Sequence, residues 1–146
     1  MQIRVVLKQK NREVITIGPG VSVSDAVAKL VQENIGSLPI VDADGRIVGI
    51  FTERDLLRGL HNQGKDFCHS KLEEVMIRDP ITCRPEDSVH DAVGKMSEHQ
   101  IGQLPVMDEG GKAIGLVSVG DLVRVLHEKA EEENRQLLNY VQGGVF

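Results

Sequence analysis

The chain has few aromatic residues: 146 residues include no Trp, one Tyr and three Phe. Its core must therefore be built from Val, Ile and Leu, which suits a small mixed sheet covered by helices. Hydrophobic residues make up 40% of the sequence. That share, at this length, is sufficient for about one compact domain.

Basic residues are not in excess, because 17 Lys and Arg stand against 22 Asp and Glu, for a net charge of −5. Binding to nucleic-acid phosphates needs clustered cations, so scattered ones argue against a nucleic-acid partner. A long apolar run is also lacking: Arg4, Lys8 and Lys10 interrupt the first apolar stretch, and no segment approaches the roughly 20 apolar residues of a bilayer span. We expect no membrane partner and a cytoplasmic location, unless a transit sequence has been removed.

Recognisable metal and catalytic patterns are lacking too. Cys68 lies beside His69 and near His61, but neither spacing matches a zinc pattern, so no metal site is predicted. A disulfide with Cys83 is not expected in a reducing cytosol. The sequence has no Walker loop, no Rossmann glycine fingerprint and no His beside Ser or Cys in a catalytic pattern. These absences argue against an enzyme.

The sequence does contain a duplication. Residues 15–61 match residues 81–127 at a constant offset of 66 positions, with 21 of 47 residues identical and no gap. Ordinary composition would give about three identities in such a window. Each copy alone would be marginally stable, so we expect it to bury its apolar face against its twin within a single domain, 1–146.

Each copy has a pattern that predicts strand, helix, strand, strand, helix. In the first copy, a β-branched run from Val14 to Ile17 predicts a strand, and Ser22-x-x-Asp25 has the form of a capping box that opens a helix. That helix is expected to stop at Gly36, and its counterpart at Gly102. Two short strands joined by an Asp- and Gly-rich turn then predict a hairpin, and Thr52 is a suitable N-cap for the last helix.

The segments around the copies are less regular. Residues 1–10 could form a short helix or a strand, and the connection after the first copy suggests a loop followed by a helical turn. The final helix extends well beyond the second copy until Gly143 and Gly144, and its late apolar residues imply a partner surface. The expected division is repeat 1 at 8–62, linker and start of the second unit at 63–79, repeat 2 at 80–128, and C-terminal helix and tail at 129–146.

A glycine, a hydroxyl three residues on and a carboxylate three further on recur at the strand-to-helix junction of both copies. They are Gly49, Thr52 and Asp55 in one copy, and Gly115, Ser118 and Asp121 in the other. A helix N-terminus offers free N–H groups and partial positive charge, a hydroxyl can donate to phosphate, and a glycine allows close approach. A carboxylate one turn into the helix can accept from ribose hydroxyls. The junctions therefore suit a nucleotide, although the same residues could simply cap the helices and ease strand packing.

The ordered motifs resemble a known family. Ile-Thr-x-x-Pro, Ser-Val-x-Asp-Ala-Val, Ile-Gly-x-Leu-Pro and Gly-x-x-Thr/Ser-x-x-Asp occur twice and resemble the cystathionine-β-synthase domain, or CBS domain, which occurs in tandem pairs. The Thr-Glu-Arg-Asp form in copy one and the ending Leu-Asn-Tyr-Val-Gln-Gly-Gly further resemble stand-alone CBS-pair proteins of bacteria, with relatives in plant mitochondria. The resemblance implies an α+β fold of two βαββα repeats packed with pseudo-twofold symmetry, plus an extended C-terminal helix.

The resemblance also implies two clefts that bind adenosine-containing ligands such as AMP, ADP, ATP, NAD(H) or S-adenosylmethionine, and a disc-shaped homodimer. By family correspondence Asp55 and Asp121 would hold ribose hydroxyls, and Thr52 and Ser118 would meet phosphate or ribose. The residues that would border the adenine are Thr16, Ile17, Thr82 and Cys83. The opposite wall would consist of Ser37, Leu38, Pro39, Gln103, Leu104 and Pro105.

The two clefts are not expected to be equivalent. Copy two has Val119-Gly120 where copy one has Glu53-Arg54, so it lacks a guanidinium that could bind phosphate in a forked contact. We expect the cleft of Thr52, Arg54 and Asp55 to be the tighter phosphate site, with the other empty or occupied by a less charged ligand. A pairing of Arg54 with Glu53 or with a dimer partner remains open.

The leading hypothesis is a regulatory module in which an adenine nucleotide stabilises one arrangement of the pair and an unknown partner protein recognises it. The alternative is a dimerisation or assembly module whose clefts hold no ligand. The presence of Thr52, Asp55, Ser118 and Asp121 counts against that alternative.

Overall fold

The computed structural model describes residues 1–145, and Phe146, the last residue of the expected tail, lies outside the described residues. None of the helices in the described part is long and apolar enough to cross a membrane. The elements, in chain order, are α1 (Ile3–Lys10), α2 (Val23–Glu33), β1 (Ser37–Val41), β2 (Ile47–Thr52), α3 (Glu53–Gln63), a 3-10 turn (Gly64–His69), α4 (Leu72–Val75), β3 (Ile77–Arg78), α5 (Val89–His99), β4 (Gln103–Met107), β5 (Ala113–Ser118) and α6 (Val119–Val145).

The strands form one small sheet in each repeat. Strands β1, β2 and β3 make an antiparallel sheet in that order, and β4 pairs with β5. Both expected hairpins are confirmed, with bounds shifted by about one residue. The tips of the hairpins hydrogen-bond to each other reciprocally, Ile47 N–H to the Gly111 carbonyl oxygen and Ala113 N–H to that of Gly45. Both pairs obey the 66-residue offset, so the repeats pack with pseudo-twofold symmetry.

The first strand of each repeat is reduced to a single bridge. Ile17 pairs in parallel with Ile40, and Cys83 pairs in the same way with Val106. The expected run from Val14 therefore does not form a full strand. Pro39 lacks the N–H that the next rung of a parallel ladder would require, and Pro105 occupies the same position in repeat 2.

The helix starts follow the sequence, but the stops do not. Ser22 caps α2 by accepting from the Asp25 N–H at 3.1 Å, and Ser88 caps α5 in the same way. The expected stops at Gly36 and Gly102 were wrong. Helices α2 and α5 end before those glycines, where Asn34 and Gln100 adopt the left-handed conformation at φ 54°. The expected stop of α6 at its glycine pair was also wrong, since glycine costs a helix about 1 kcal/mol without terminating it.

The two hydrophobic cores exchange segments. The core of repeat 1 contains Phe67 and Leu72 from the connection that precedes repeat 2. The core of repeat 2 contains Ile3 and Val6 from α1, which precedes repeat 1. Each repeat is therefore completed by the segment that leads into the other one.

Backbone hydrogen bonds hold the exchanged segments in equivalent ways. The Leu72 N–H donates to the Val21 carbonyl oxygen at 2.8 Å, and the Ile3 N–H donates to the Asp87 carbonyl oxygen at 2.9 Å. Val21 and Asp87 correspond under the repeat offset. The helices α1 and α4 are therefore pseudo-equivalent, although their sequences show no obvious match.

The motif glycines make room for these exchanged segments. A Cβ on Gly115 would lie 2.5 Å from Leu7 Cδ2, and one on Gly49 would lie 2.5 Å from Met76 Sδ. The close approach expected at these glycines is thus an approach of side chains from α1 and from the end of α4. Packing explains both glycines without a ligand.

Candidate functional site

The two strand-to-helix junctions carry the predicted hydroxyl and carboxylate pairs. Thr52 Oγ1 accepts from the Asp55 N–H at 3.2 Å, while Asp55 Oδ2 accepts from the Thr52 N–H and Oγ1, each at 2.9 Å. In repeat 2, the Asp121 N–H donates to Ser118 Oγ at 3.1 Å and the Ser118 N–H donates to Asp121 Oδ2 at 2.9 Å. These residues therefore cap α3 and α6, and one Asp55 oxygen remains outside the capping contacts.

A cavity of about 510 Å³ lies between the repeats, where α3 and α6 begin. Its volume falls within the roughly 300–1,000 Å³ typical of small-molecule sites. Both helix N-termini contribute to it, so it combines two partial positive charges. The lining residues are Gly36, Thr52, Glu53, Arg54, Leu57, Gln100, Ile101, Gly102, Gln103, Ser118 and Val119.

Arg54 reaches across this cavity from one repeat to the other. Its guanidinium donates to the carbonyl oxygen of Gln100 at 3.2 Å, and its side chain is exposed. The pairing with Glu53 that the sequence left open is not the contact observed. A carbonyl oxygen satisfies only part of a guanidinium, which has five N–H donors, so Arg54 retains donors for an anion in the cavity.

The predicted adenine-bordering and wall residues are divided between core and cavity. Four predicted site residues line the cavity: Thr52, Arg54, Gln103 and Ser118. The side chains packed in the hydrophobic cores are Ile17, Leu38, Cys83 and Leu104. Also buried are Ser37, Pro39 and Pro105, whereas Thr16 and Thr82 are half-buried. The core residues can face a ligand only through their backbone.

Ser37 of the predicted wall and Cys83 of the predicted adenine border are both buried. Ser37 lies opposite Thr52 in the β1–β2 pairing, and its Oγ has no hydrogen-bond partner among the described residues. Burial, and then the charge of Asp87, raises the pKa of Cys83 to about 12. Cys83 is therefore a neutral core thiol at any physiological pH.

Asp121 has partners that Asp55 lacks. Lys10 Nζ, from α1, donates to Asp121 Oδ2 at 2.9 Å, and the Arg124 guanidinium donates to Oδ1 at 3.1 Å. Burial by itself raises the pKa of Asp121, but the hydrogen bonds from Lys10, Ser118 and Arg124 outweigh it and lower the pKa to about 2. Asp121 is therefore a fully ionised, internally paired carboxylate.

Lys10 is the site residue that sequence reasoning missed. It lies 111 residues from Asp121, and no local pattern connects the two. The repeat offset gave no signal either, because α1 precedes the aligned window. Lys10 also lines a second, much smaller cavity of about 30 Å³, whose other lining residues come mostly from repeat 1, with Leu116 from repeat 2. Within residues 1–145, no three metal-ligating side chains cluster together.

Comparison with known proteins gives a consistent picture. A family model described as "CBS domain" matches residues 8–62 and 72–128. A relative from Arabidopsis thaliana, named CBS domain-containing protein CBSX3, mitochondrial, is 37% identical over 127 residues, which are 84% of this chain and 61% of that protein. The chain thus spans less than two thirds of that relative, and as little as 22% of some other relatives.

Two similar solved structures carry ligands. The CBS domain pair of protein MJ0100, in complex with 5-methylthioadenosine and S-adenosyl-L-methionine, is 31% identical with a TM-score of 0.78, covering 88% of this chain and 98% of that chain. CBSX2 in complex with AMP is 28% identical with a TM-score of 0.72, covering 84% of this chain and 92% of that one. The ligands in both complexes contain an adenosine group.

Proposed function

Because the chain belongs to the CBS-domain family and carries two repeats of it, we propose that it is a regulatory module that binds an adenine nucleotide or S-adenosylmethionine between its repeats. CBS-domain pairs are regulatory modules that bind adenosine ligands. In this chain the ligand stabilises one arrangement of the pair, and a partner protein recognises that arrangement. The proposal covers AMP, ADP, ATP, NAD(H) and S-adenosylmethionine.

The observation that carries the proposal is the cavity of about 510 Å³ at the starts of α3 and α6. Two helix N-termini, the hydroxyls of Thr52 and Ser118 and the guanidinium of Arg54 all contribute to its lining. This combination favours a phosphate or another anionic group at close range. Among the proposed ligands, AMP, ADP, ATP and NAD(H) carry such a group beside the ribose.

Asp55 supports the ribose position. Its Oδ2 is engaged by Thr52, while its Oδ1 receives no hydrogen bond from the described residues. Asp55 is half-buried, so a ligand can reach it. A carboxylate oxygen there accepts from a ribose hydroxyl without breaking the cap. We propose that Asp55 holds the ribose and that Arg54 and Thr52 hold the phosphate.

The remaining predicted residues take the adenine in this proposal. Half-buried Thr82 and Gln103 would contact it through side chains, and the core residues beside them through backbone groups. The opposite cleft has the corresponding set at Thr16 and Ser37. Two walls of backbone N–H and C=O groups suit a purine, whose edge carries both donors and acceptors.

The proposal includes a homodimer formed through an apolar face on α3 and α6. Leu57 and Leu60 on α3 correspond to Val123 and Leu126 on α6 under the repeat offset, and all four are exposed. We refer to these four residues as the α3/α6 apolar face. Exposed apolar surface continues along α6 at Leu137, Tyr140 and Val141. This surface is available to the unknown partner protein or to the second copy of the chain.

We place this dimer in the cytoplasm, a reducing compartment that suits two free cysteines. The module acts by binding, without turnover of its ligand. The alternative is an assembly module without a ligand, which the same apolar face would also serve. The open Asp55 oxygen and the arginine in the cavity favour the ligand-binding function.

A thermal-shift screen with AMP, ATP, NADH and S-adenosylmethionine tests the proposal. A ligand at about 100 times its Kd stabilises the folded state by about 2.7 kcal/mol, which raises Tm by several degrees in a chain of this size. We expect a shift with at least one ligand in the wild type and its loss in Asp55→Ala. The matched control is Asp25→Ala, which removes the third-position carboxylate of α2, a helix that contributes no residue to the cavity lining, whereas Thr52, Glu53 and Arg54 beside Asp55 all line it. If none of the ligands shifts the wild type, the assembly function replaces this proposal.

A further inference from the structure

Lys10 connects helix α1 to the carboxylate of the second junction. Its ammonium donates to Asp121 Oδ2 at 2.9 Å and to the Leu116 carbonyl oxygen at 2.9 Å. Only 10% of the Asp121 side chain and 24% of the Lys10 side chain are exposed. Removal of one partner from an ion pair with so little solvent around it strongly destabilises the fold, because the other charge is left buried and unpaired.

The two junction carboxylates differ in what they can still accept. Both oxygens of Asp121 are occupied, one by Lys10 and the Ser118 N–H, the other by Arg124. Asp55 has the same capping contacts but no cation on it among the described residues. A ribose hydroxyl therefore finds an oxygen without a hydrogen bond at Asp55, whereas at Asp121 each oxygen already accepts from a cation.

The first repeat has a basic residue in the segment that packs against its junction, but that residue turns away. Met76 lies against Gly49 as Leu7 of α1 lies against Gly115, and Arg78 is the cation that follows Met76. The Arg78 guanidinium donates to the Glu73 carbonyl oxygen at 3.0 Å, within its own segment, and is exposed. The segment of α1 thus places a cation on Asp121, whereas the segment around α4 places none on Asp55 among the described residues.

The space beside Lys10 is small. Its cavity has a volume of about 30 Å³, whereas the cavity of about 510 Å³ between the starts of α3 and α6 is lined from both junctions and does not include Lys10. A space of 30 Å³ accommodates about one water molecule, and an adenosyl ligand needs roughly ten times more. The residues around the small cavity are Lys10, Arg12, Glu13, Val14, Ile15, Ile35 and Leu116.

We infer that Lys10 is the residue that determines stoichiometry: it occupies the Asp121 cleft, so that each chain binds a single adenosyl ligand, at the Asp55 cleft. The inference rests on the proposed function. A ribose hydroxyl that reached Asp121 would compete with Lys10 for the carboxylate, and a neutral hydroxyl is a weaker partner for a carboxylate than a largely buried ammonium is. The basic side chain of α1 thereby makes the two pseudo-symmetric halves functionally unequal.

Isothermal titration calorimetry with AMP, and separately with S-adenosylmethionine, tests the inference on the full chain. We expect one site per chain in the wild type, two in Lys10→Met, and one in Lys10→Arg, which keeps the cation. Lys8→Met is the matched control, because Lys8 lies on the same helix, is exposed and does not contact Asp121. Thermal unfolding without ligand verifies that each variant is folded.

The outcomes separate the inference from the proposed function. Two sites in the wild type, of which Asp55→Ala removes one and Asp121→Ala the other, would overturn the inference and leave the proposed function intact. A Lys10→Met variant that still binds one ligand would also overturn it. If none of the proteins binds either ligand, the proposed function fails and the inference fails with it. One site in the wild type and a second in Lys10→Met alone supports both.

Discussion

The ring of Phe67 packs directly against Gly59 of helix α3, in the space that a side chain at that position would need. A Cβ built on Gly59 would overlap three carbons of the ring. In the second repeat the corresponding residue is Val125, which fills the same space with its own side chain. Repeat 1 thus uses an aromatic residue from the linker where repeat 2 uses a valine.

Gly59→Ala is therefore expected to destabilise the chain by about 1–3 kcal/mol, because the Phe67 ring must move out of a packed core. Urea unfolding followed by circular dichroism measures the change. Gly94→Ala is the control, since Gly94 lies within helix α5 with open space around it. That substitution should be neutral or stabilising by up to about 1 kcal/mol. Equal effects of the two substitutions would contradict the packing described here.

Gly115→Ala tests the exchange of helix α1. The new Cβ would lie 2.5 Å from Leu7 Cδ2, so we expect a loss of about 1–3 kcal/mol. Leu7→Ala removes that obstacle, and the double variant should be more stable than the sum of the single effects predicts. A double-mutant cycle measured by urea unfolding gives the coupling, which for residues in contact is about 0.5–3 kcal/mol. Independent effects would mean that α1 packs elsewhere in solution.

Asp121 should make stability depend on pH in the acidic range. Its pKa is about 2 in the folded chain, against 3.8 for the unperturbed group. Because the folded pKa is the lower one, the stabilisation is complete above about pH 4 and is lost as the pH falls toward 2. The difference corresponds to about 2 kcal/mol. Urea unfolding of wild type and Asp121→Asn at pH 7, 4 and 2.5 should show a gap that narrows at the lowest pH, and a constant gap would argue against the ion pair.

The two cysteines should differ in reactivity. Burial raises the pKa of the Cys83 thiol to about 12, and Cys83 is 1% exposed, whereas Cys68 is partly accessible. At pH 8, a thiol reagent such as DTNB should label one cysteine per folded chain rapidly and the second one only on unfolding. Cys68→Ser should remove the fast phase. A fast phase that survives in Cys68→Ser would show that the core of repeat 2 opens readily.

The α3/α6 apolar face should control self-association. Leu57→Asp combined with Val123→Asp places two charges on it, and sedimentation velocity should then show a shift from dimer to monomer. Val31→Asp is the matched control, because Val31 is exposed on α2, outside that face. The control should sediment as the wild type does. A wild type that is monomeric at high micromolar concentration would rule out this dimer.

The sequence was sufficient to predict most of the local structure. The Asp- and Gly-rich turns predict the hairpins, and the Ser and Thr caps predict the starts of α2, α3, α5 and α6. These features are predictable because each turn or helix start depends on residues close together in the sequence, and the constant repeat offset gives each of them twice. The stop of α2 was misplaced, since Asn34 took the left-handed position that glycine usually occupies. The first strand is limited to one bridge because Pro39 has no N–H for the next hydrogen bond of the ladder. That limit can be recognised only once Ile17 is known to pair with Ile40.

The sequence predicts that the two clefts differ, through Arg54, but not that Lys10 contributes to the difference. The spacing of Thr52 and Asp55 marks a helix start and a candidate ribose contact at once. The spacing cannot show that Lys10 covers Asp121, because amphipathic patterns reveal which face of α1 is buried and not what it is buried against. The contact of Arg54 with Gln100 depends on tertiary packing in the same way.

The exchange of leading segments also sets an order of events during synthesis. Helix α1 is translated before repeat 1, yet Val89, Leu104 and Val117, which share its hydrophobic core, are translated only after repeat 1. Repeat 1 can close as soon as Phe67 and Leu72 are translated, whereas the apolar side of α1 must wait for most of the remaining chain. A nascent chain paused after repeat 1 would therefore expose the apolar side of α1 beside a closed first repeat, and that side is the kind of surface that chaperones bind.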